Sequence, residues 1–159
     1  MARKFVGSKV NTDPTVLIDA FVGKYRFLSN YYQEFVSYNG INYCNTEAAF
    51  QAQKCPERAK EFSELAPNEA KRLGRQVKLR EGWDMIKDQV MYEIVKAKFL
   101  QHPTLKHKLL NTGSAKLVEG NDWGDTYWGQ VNGVGRNMLG RILMRIREDF
   151  GGYGEIVDD

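Results

Sequence analysis

With 159 residues, 42% of them hydrophobic and 27% charged, the chain has the size and composition of one globular domain, which excludes fibrous and intrinsically disordered classes. Its net charge of +3 suits an anionic ligand but is too small for a protein built to hold a long polynucleotide. Charges interrupt every apolar stretch, so none reaches membrane-spanning length.

Two cysteines, Cys44 and Cys55, and two histidines, His102 and His107, give neither a disulfide framework nor a zinc spacing. Residues Met1 to Val10 carry Arg3, Lys4 and Lys9 without an apolar core, which is not the pattern of a secretory signal. A reducing, cytoplasmic compartment is the expectation.

In chain order, Val16-Leu17-Ile18 reads as a first strand, followed by a loop through Gly23 and Lys24. Phe35 to Tyr38 and Ile41 to Tyr43 flank Asn39-Gly40, a dipeptide that tolerates positive φ at both positions and predicts a type I′ hairpin. Asn45 or Thr46 is placed to cap a helix through Glu47, Phe50, Gln51 and Lys54. Pro56 ends that helix or opens the next short one, and a second helix starts near Pro67. From about Gly82 to Leu100, Trp83, Ile86, Val90, Ile94 and Ala97 recur at helical spacing, with Met91, Val95 and Phe99 widening the stripe. A short helix over Pro103 to Leu110 stops at Gly113, and a short strand falls within Ala115 to Val118. A last amphipathic helix carries Leu139, Ile142, Leu143, Ile146 and Phe150 and ends at Gly151. There is no repeat or linker, so the expectation is one α+β domain over residues 1–159, mainly helical with a small antiparallel sheet.

Two places suit chemistry. Glu119 to Arg136 is longer than about a dozen residues, a length at which loops in compact domains are often functional. It offers acids, two tryptophans and a tyrosine, and its glycines let backbone approach a ligand. Gly133, Gly135 and Arg136 lead to Asn137 at a helix start, where unpaired N–H groups suit an anion; the alternative is a turn-rich connection whose tryptophans plug the core. The second place is the helix from Thr46, where Glu47, Gln51 and Lys54 share a face. There a pocket carboxylate beside a lysine competes with an ordinary first-turn acid. Lys71, Arg72, Arg75, Lys78 and Arg80 read as a solvated helix face, with a phosphate-gathering rim as the sharper alternative.

Cleavage of an N-glycosidic bond needs a carboxylate near the oxocarbenium-like sugar and another to direct water. A flat apolar surface for the leaving base helps as well. Glu47, Asp125 and a tryptophan are available for that set.

Phe27-Leu-Ser-Asn-Tyr31, Thr46-Glu-Ala-Ala-Phe-Gln-Ala-Gln-Lys54, Gly82-Trp83, Asp125-Thr-Tyr-Trp-Gly129 and Gly135-Arg-Asn-Met-Leu-Gly140 occur in this order. The chain thereby resembles the NADAR family, in its YbiA-like N-glycosidase branch, from about Phe27 to Phe150. The resemblance implies that family's fold and hydrolysis of ribosylamino-pyrimidine phosphates, intermediates of riboflavin biosynthesis, with release of ribose phosphate. It implies Glu47 as a catalytic carboxylate, Asp125 as the second acid and Trp83 as a stacking surface for the base. Ser29, Asn30, Lys54, Trp128 and Asn137 would line sugar and phosphate, and Arg136 is either a ligand contact or a surface charge. No metal or organic cofactor is implied. The partner is a small phosphorylated ribosyl substrate, with nucleic acid entering only as an ADP-ribosylated substrate.

Three features depart from the family pattern. Ala48-Ala49 stands where an aromatic pair follows the helix glutamate, Gln130-Val131 replaces an Asp-Gly, and Trp123-Gly124 is extra before Asp125. On the reading that these line the pocket, they bear on substrate more than on reaction type. Two other functions remain open: removal of ADP-ribose from guanine, and binding of ADP-ribose or NAD derivatives without turnover.

Overall fold

The computed structural model describes residues 16–151; the expectation about Met1 to Val10 lies outside them. The fold is mainly helical α+β, and the chain groups into two compact units. One is Ser29–Gln101; the other joins residues 16–28 to 102–151.

Ser29–Gln101 opens with the hairpin. Strand β2 (Gln33–Tyr38) pairs antiparallel with β3 (Ile41–Asn45), in the register Tyr38 to Ile41 and Val36 to Tyr43. Asn39 (φ 49°) and Gly40 (φ 81°) both take the left-handed conformation that a type I′ turn requires. Val36 and Tyr43, paired across the ladder, are fully buried. Helix α1 (Thr46–Ala52) follows β3 directly because Asn45 is still extended while its Oδ1 accepts the Ala48 N–H at 2.7 Å. It ends at Ala52, short of the Lys54 expected from sequence, with Gln53 and Lys54 in the closing turn. Every residue of α1 is buried, so whatever its side chains do, they do away from bulk water.

Pro56 opens a 3-10 helix over Pro56–Phe62, and Pro67 opens α2 (Pro67–Gly74). Proline suits both first positions because those N–H groups have no helical acceptor. The long helix α3 (Trp83–Gln101) buries Trp83, Val90, Met91, Ile94, Val95 and Phe99, and with them Lys98.

In the other unit, β1 (Leu17–Ile18) pairs parallel with β4 (Lys116–Leu117). The expected single antiparallel sheet is therefore two separate two-stranded ladders, one of each kind. The stretch expected as a loop through Gly23 and Lys24 is a 3-10 helix, Gly23–Leu28, that buries Phe27 and Leu28. Helix α4 (Pro103–Asn111) ends through Thr112 into Gly113 at φ 63°. Helix α5 (Met138–Asp149) ends at Gly151, φ 101°. No helix of the described residues is long and apolar enough to cross a membrane.

Candidate active site

Glu47 sits in the first turn of α1 with 8% of its surface exposed. Its backbone N–H donates to the Asn30 carbonyl at 3.1 Å. Gln51, one turn on, donates from Nε2 to Glu47 Oε2 at 2.7 Å, fixing the carboxylate in the buried surroundings. The fit is close: a Cβ at Gly74 of α2 would lie 2.0 Å from Gln51 Oε1, so glycine there is what lets α2 rest on this glutamine.

Ser29 and Asn30 lead into the hairpin. The Ser29 carbonyl accepts the Lys98 ammonium at 3.1 Å, and Ser29 Oγ accepts the Tyr31 N–H at 3.0 Å. Asn30 donates from Nδ2 to Met91 Sδ at 3.4 Å. The Ser29–Asn30 stretch thus ties Lys98 on α3 to Glu47 on α1 through consecutive carbonyls.

Lys98 is a functional candidate that the sequence reading missed. It is 1% exposed, and burial pushes its pKa down to about 7, against the opposing pull of Glu34. A signal was available. Lys98 is four residues beyond Ile94 and seven beyond Met91, so it falls on the apolar stripe, where an ordinary lysine does not belong.

Three side-chain oxygens near Glu47 are buried without a hydrogen-bond partner among the described residues: Asn30 Oδ1, Thr46 Oγ1 and Gln51 Oε1. Leaving such groups unsatisfied costs about 1–3 kcal/mol each.

Lys54 is half-buried just beyond α1. Burial lowers its pKa, Glu47 opposes that, and Arg75, Lys71 and Lys87 reinforce it. Trp83 is 5% exposed, and its ring tilts against Phe50 at 5.3 Å between centroids. The geometry therefore gives it a core contact, and stacking on a base is carried by the family resemblance alone.

The remaining expected residues lie in the other unit. Asp125 Oδ1 accepts the N–H groups of Tyr127 (3.0 Å) and Trp128 (2.9 Å), while Oδ2 accepts nothing among the described residues. Asn121 grips the Asp125 backbone from both sides, at 3.1 and 2.9 Å. Trp128 is half-buried and meets Tyr127 edge-on at 4.9 Å. Arg136 is exposed, with its guanidinium 5.4 Å from the Tyr127 ring centre. Asn137 is 3% exposed and spends its amide on the fold: Oδ1 accepts the Glu119 N–H and Nδ2 donates to the Leu117 carbonyl, both at 2.9 Å.

The anion cradle expected at the start of α5 is not built. The N–H groups of Arg136, Asn137, Met138 and Leu139 donate to the carbonyls of Thr126, Gly129, Tyr127 and Trp128, so the loop's own backbone fills the place of a phosphate. Among the described residues, no group of three or more His, Cys, Asp or Glu side chains is arranged to hold a metal ion.

A dry carboxylate braced by an amide is a group a glycosidase can use, and known proteins point to the same class. The chain is 40% identical over 130 residues to the N-glycosidase YbiA of Shigella flexneri serotype 5b, covering 78% of this chain and 81% of that protein. It is 38% identical over 129 residues to a riboflavin biosynthesis protein of Vibrio vulnificus, covering 77% of this chain and 35% of that protein. The solved structure of Escherichia coli YbiA matches with a TM-score of 0.79 at 34% identity, over 92% of this chain and 90% of that one. The protein is an enzyme of the N-glycosidase class. It belongs to the NADAR domain family, whose match spans residues 18–151 and so both compact units.

Proposed function

We propose that the enzyme hydrolyses the C–N bond between a phosphorylated ribose and the amine of a small ribosylamino-pyrimidine, releasing ribose 5-phosphate. The observation that carries this reading is the buried carboxylate of Glu47, held at 2.7 Å by the Gln51 amide. The riboflavin biosynthesis relative supports the pyrimidine part of the reading.

As the C–N bond breaks, its electron pair leaves with nitrogen and positive charge grows on the ribose. Glu47 stabilises that charge at close range in low-dielectric surroundings, where electrostatics are strongest. Water adds its oxygen to the anomeric carbon, its proton passes to a carboxylate, and the leaving nitrogen takes up a proton. Asp125, through Oδ2, is the second acid in this reading. Lys54 belongs to the same proposal as a phosphate contact, Ser29, Asn30, Trp128 and Arg136 as sugar contacts and Trp83 as the base contact, while Asn137, whose amide is held by the fold, positions its loop. The free thiols Cys44 and Cys55 accord with a cytoplasmic location.

The test is a product assay on ribosylamino-pyrimidine phosphates, with ADP-ribosylated guanine and NAD as competing substrates. Glu47→Gln keeps size and hydrogen bonding while removing charge, and kcat is expected to fall about 10²–10⁴-fold. A Glu47→Gln protein with wild-type turnover would refute the mechanism. Faster turnover of ADP-ribosylated guanine would move the substrate assignment to that class.

A further inference from the structure

Lys71 and Arg75 are one helical turn apart at the end of α2, and Gly74 on the same face presses against Gln51 of α1. That face of α2 is therefore turned towards the helix that holds Glu47. Lys87 stands one turn after Trp83 in α3, and Trp83 packs on Phe50 of α1. Four cations from three elements, Lys54, Lys71, Arg75 and Lys87, thus gather around the end of α1.

Their countercharges are few. Lys87 pairs with the exposed Asp84 at 3.2 Å, and among the described residues Lys54, Lys71 and Arg75 make no ion pair. The charges that act on Lys54 are the cations Arg75, Lys71 and Lys87 and the single carboxylate of Glu47. A half-buried ammonium that lacks a salt-bridge partner is unfavourable by itself. The crowding is felt at Lys54, whose pKa Arg75, Lys71 and Lys87 all depress. An anion would offset the excess of positive charge around Lys54, and both a phosphate monoester and a diphosphate qualify.

We propose that Lys54, Lys71 and Arg75, with Lys87 at the edge, form the phosphate subsite of this enzyme, so that the charged face of α2 is part of the ligand site rather than solvated surface. The proposal rests on the hydrolase reading for what the phosphate is attached to. The structure assigns the phosphate to the end of α1 and not to the start of α5, whose N–H groups are already occupied.

Calorimetric titration of the full chain at low ionic strength with ribose, ribose 5-phosphate and ADP-ribose tests it. Both phosphorylated ligands are expected to bind at least tenfold more tightly than ribose, and the tighter of the two identifies monoester or diphosphate as the preferred group. Arg75 is exposed and Lys71 half-buried, so Lys71→Gln and Arg75→Gln leave the fold intact, which melting curves check. Each is expected to weaken the phosphorylated ligands about tenfold, as loss of one charge-assisted hydrogen bond does, with ribose binding unchanged. Lys78→Gln, a nearby charge outside the cluster, leaves all three affinities alone. Ribose binding as tightly as ribose 5-phosphate, or a Lys71→Gln/Arg75→Gln protein with undiminished phosphate-dependent affinity, overturns the subsite. Kinetics separate this outcome from failure of the hydrolase reading. Without a subsite here, the double variant keeps its KM while Glu47→Gln still abolishes turnover. Without hydrolase activity, no substrate turns over, yet the loss of ribose 5-phosphate affinity persists.

Discussion

Gly74→Ala should destabilise the protein by acting on Glu47 at second hand, and its effect should reverse sign when Gln51 is removed. The added Cβ would lie 2.0 Å from Gln51 Oε1 and 2.9 Å from its Cδ. Gln51 must swing to escape, but its other amide atom is held by Glu47 at 2.7 Å. The side chain either stays overpacked, at a cost of about 1–3 kcal/mol, or swings away and gives up a hydrogen bond to a charged acceptor worth about 1.5–3 kcal/mol. Opposing them, alanine exceeds glycine in helix propensity by up to about 1 kcal/mol, and Gly74 has no positive φ that would strain the change. The expected net loss is about 1–2 kcal/mol in the wild-type background, with a gain of up to about 1 kcal/mol in Gln51→Ala. Urea denaturation of the four proteins of this double-mutant cycle measures the coupling. Displacement of Glu47 should also lower kcat for Gly74→Ala, because a misplacement of about 1 Å is worth up to 10²-fold. Additive stabilities, within about 0.5 kcal/mol, would show that Gln51 does not transmit the strain and that its bond to Glu47 is incidental.

Lys98 makes stability depend on pH. Its folded pKa lies near 7, below that of an unfolded lysine, so between about pH 7 and 10 the unfolded chain binds more protons and stability rises with pH. Lys98→Met should flatten that slope and raise Tm at pH 7 more than at pH 9.5; equal gains at both values would exclude a titrating buried amine. Asp125→Asn keeps an oxygen to accept the Tyr127 and Trp128 N–H groups, so it should melt like the wild type yet lose turnover, while Asp125→Ala should in addition lose about 1 kcal/mol of stability, the worth of a comparable cap. An asparagine variant with full turnover would confine Asp125 to shaping its loop.

Features encoded by neighbouring residues were legible in the sequence. Asn39-Gly40 specified its turn because both residues accept positive φ, Pro67 and Pro103 each opened a helix as sequence predicted, and Pro56, expected to end one helix or open the next, opens a 3-10 helix. The long helix was announced by its period. What depends on distant partners was not legible. A two-residue strand such as Leu17–Ile18 carries no sign that its mate is Lys116–Leu117 or that they run parallel. The α5 start looked open because the carbonyls of residues 126–129 that fill it are brought there only by the fold of the loop. Lys98 was overlooked for another reason: an apolar stripe is recognised by its hydrophobic members, and a lysine on it is passed over although its position is the informative one. In the candidate site the sequence supplied Glu47, Gln51 and Lys54 on one face. It could not show that Ser29 and Asn30 are tied to that face through backbone carbonyls.

The departures from the family pattern take a different meaning once burial is known. Ala48 and Ala49 are wholly inaccessible, as is Ala52, so they are not the pocket wall that sequence comparison suggested. Small residues here let a fully buried helix lie close to its neighbours. Trp123 and Gln130 differ in kind. Trp123 is 63% exposed, and both residues border an open cavity of about 830 Å³ whose other walls include Leu17, Val22, Asp19 and Asp122. That cavity contains neither Asp125 nor Trp128. Yet Asn121, which lines it, holds the Asp125 backbone on both sides. The sequence differences that reach solvent therefore sit on the loop that shapes the acid the family resemblance selects, and they bear on substrate choice together with the cations beside Lys54.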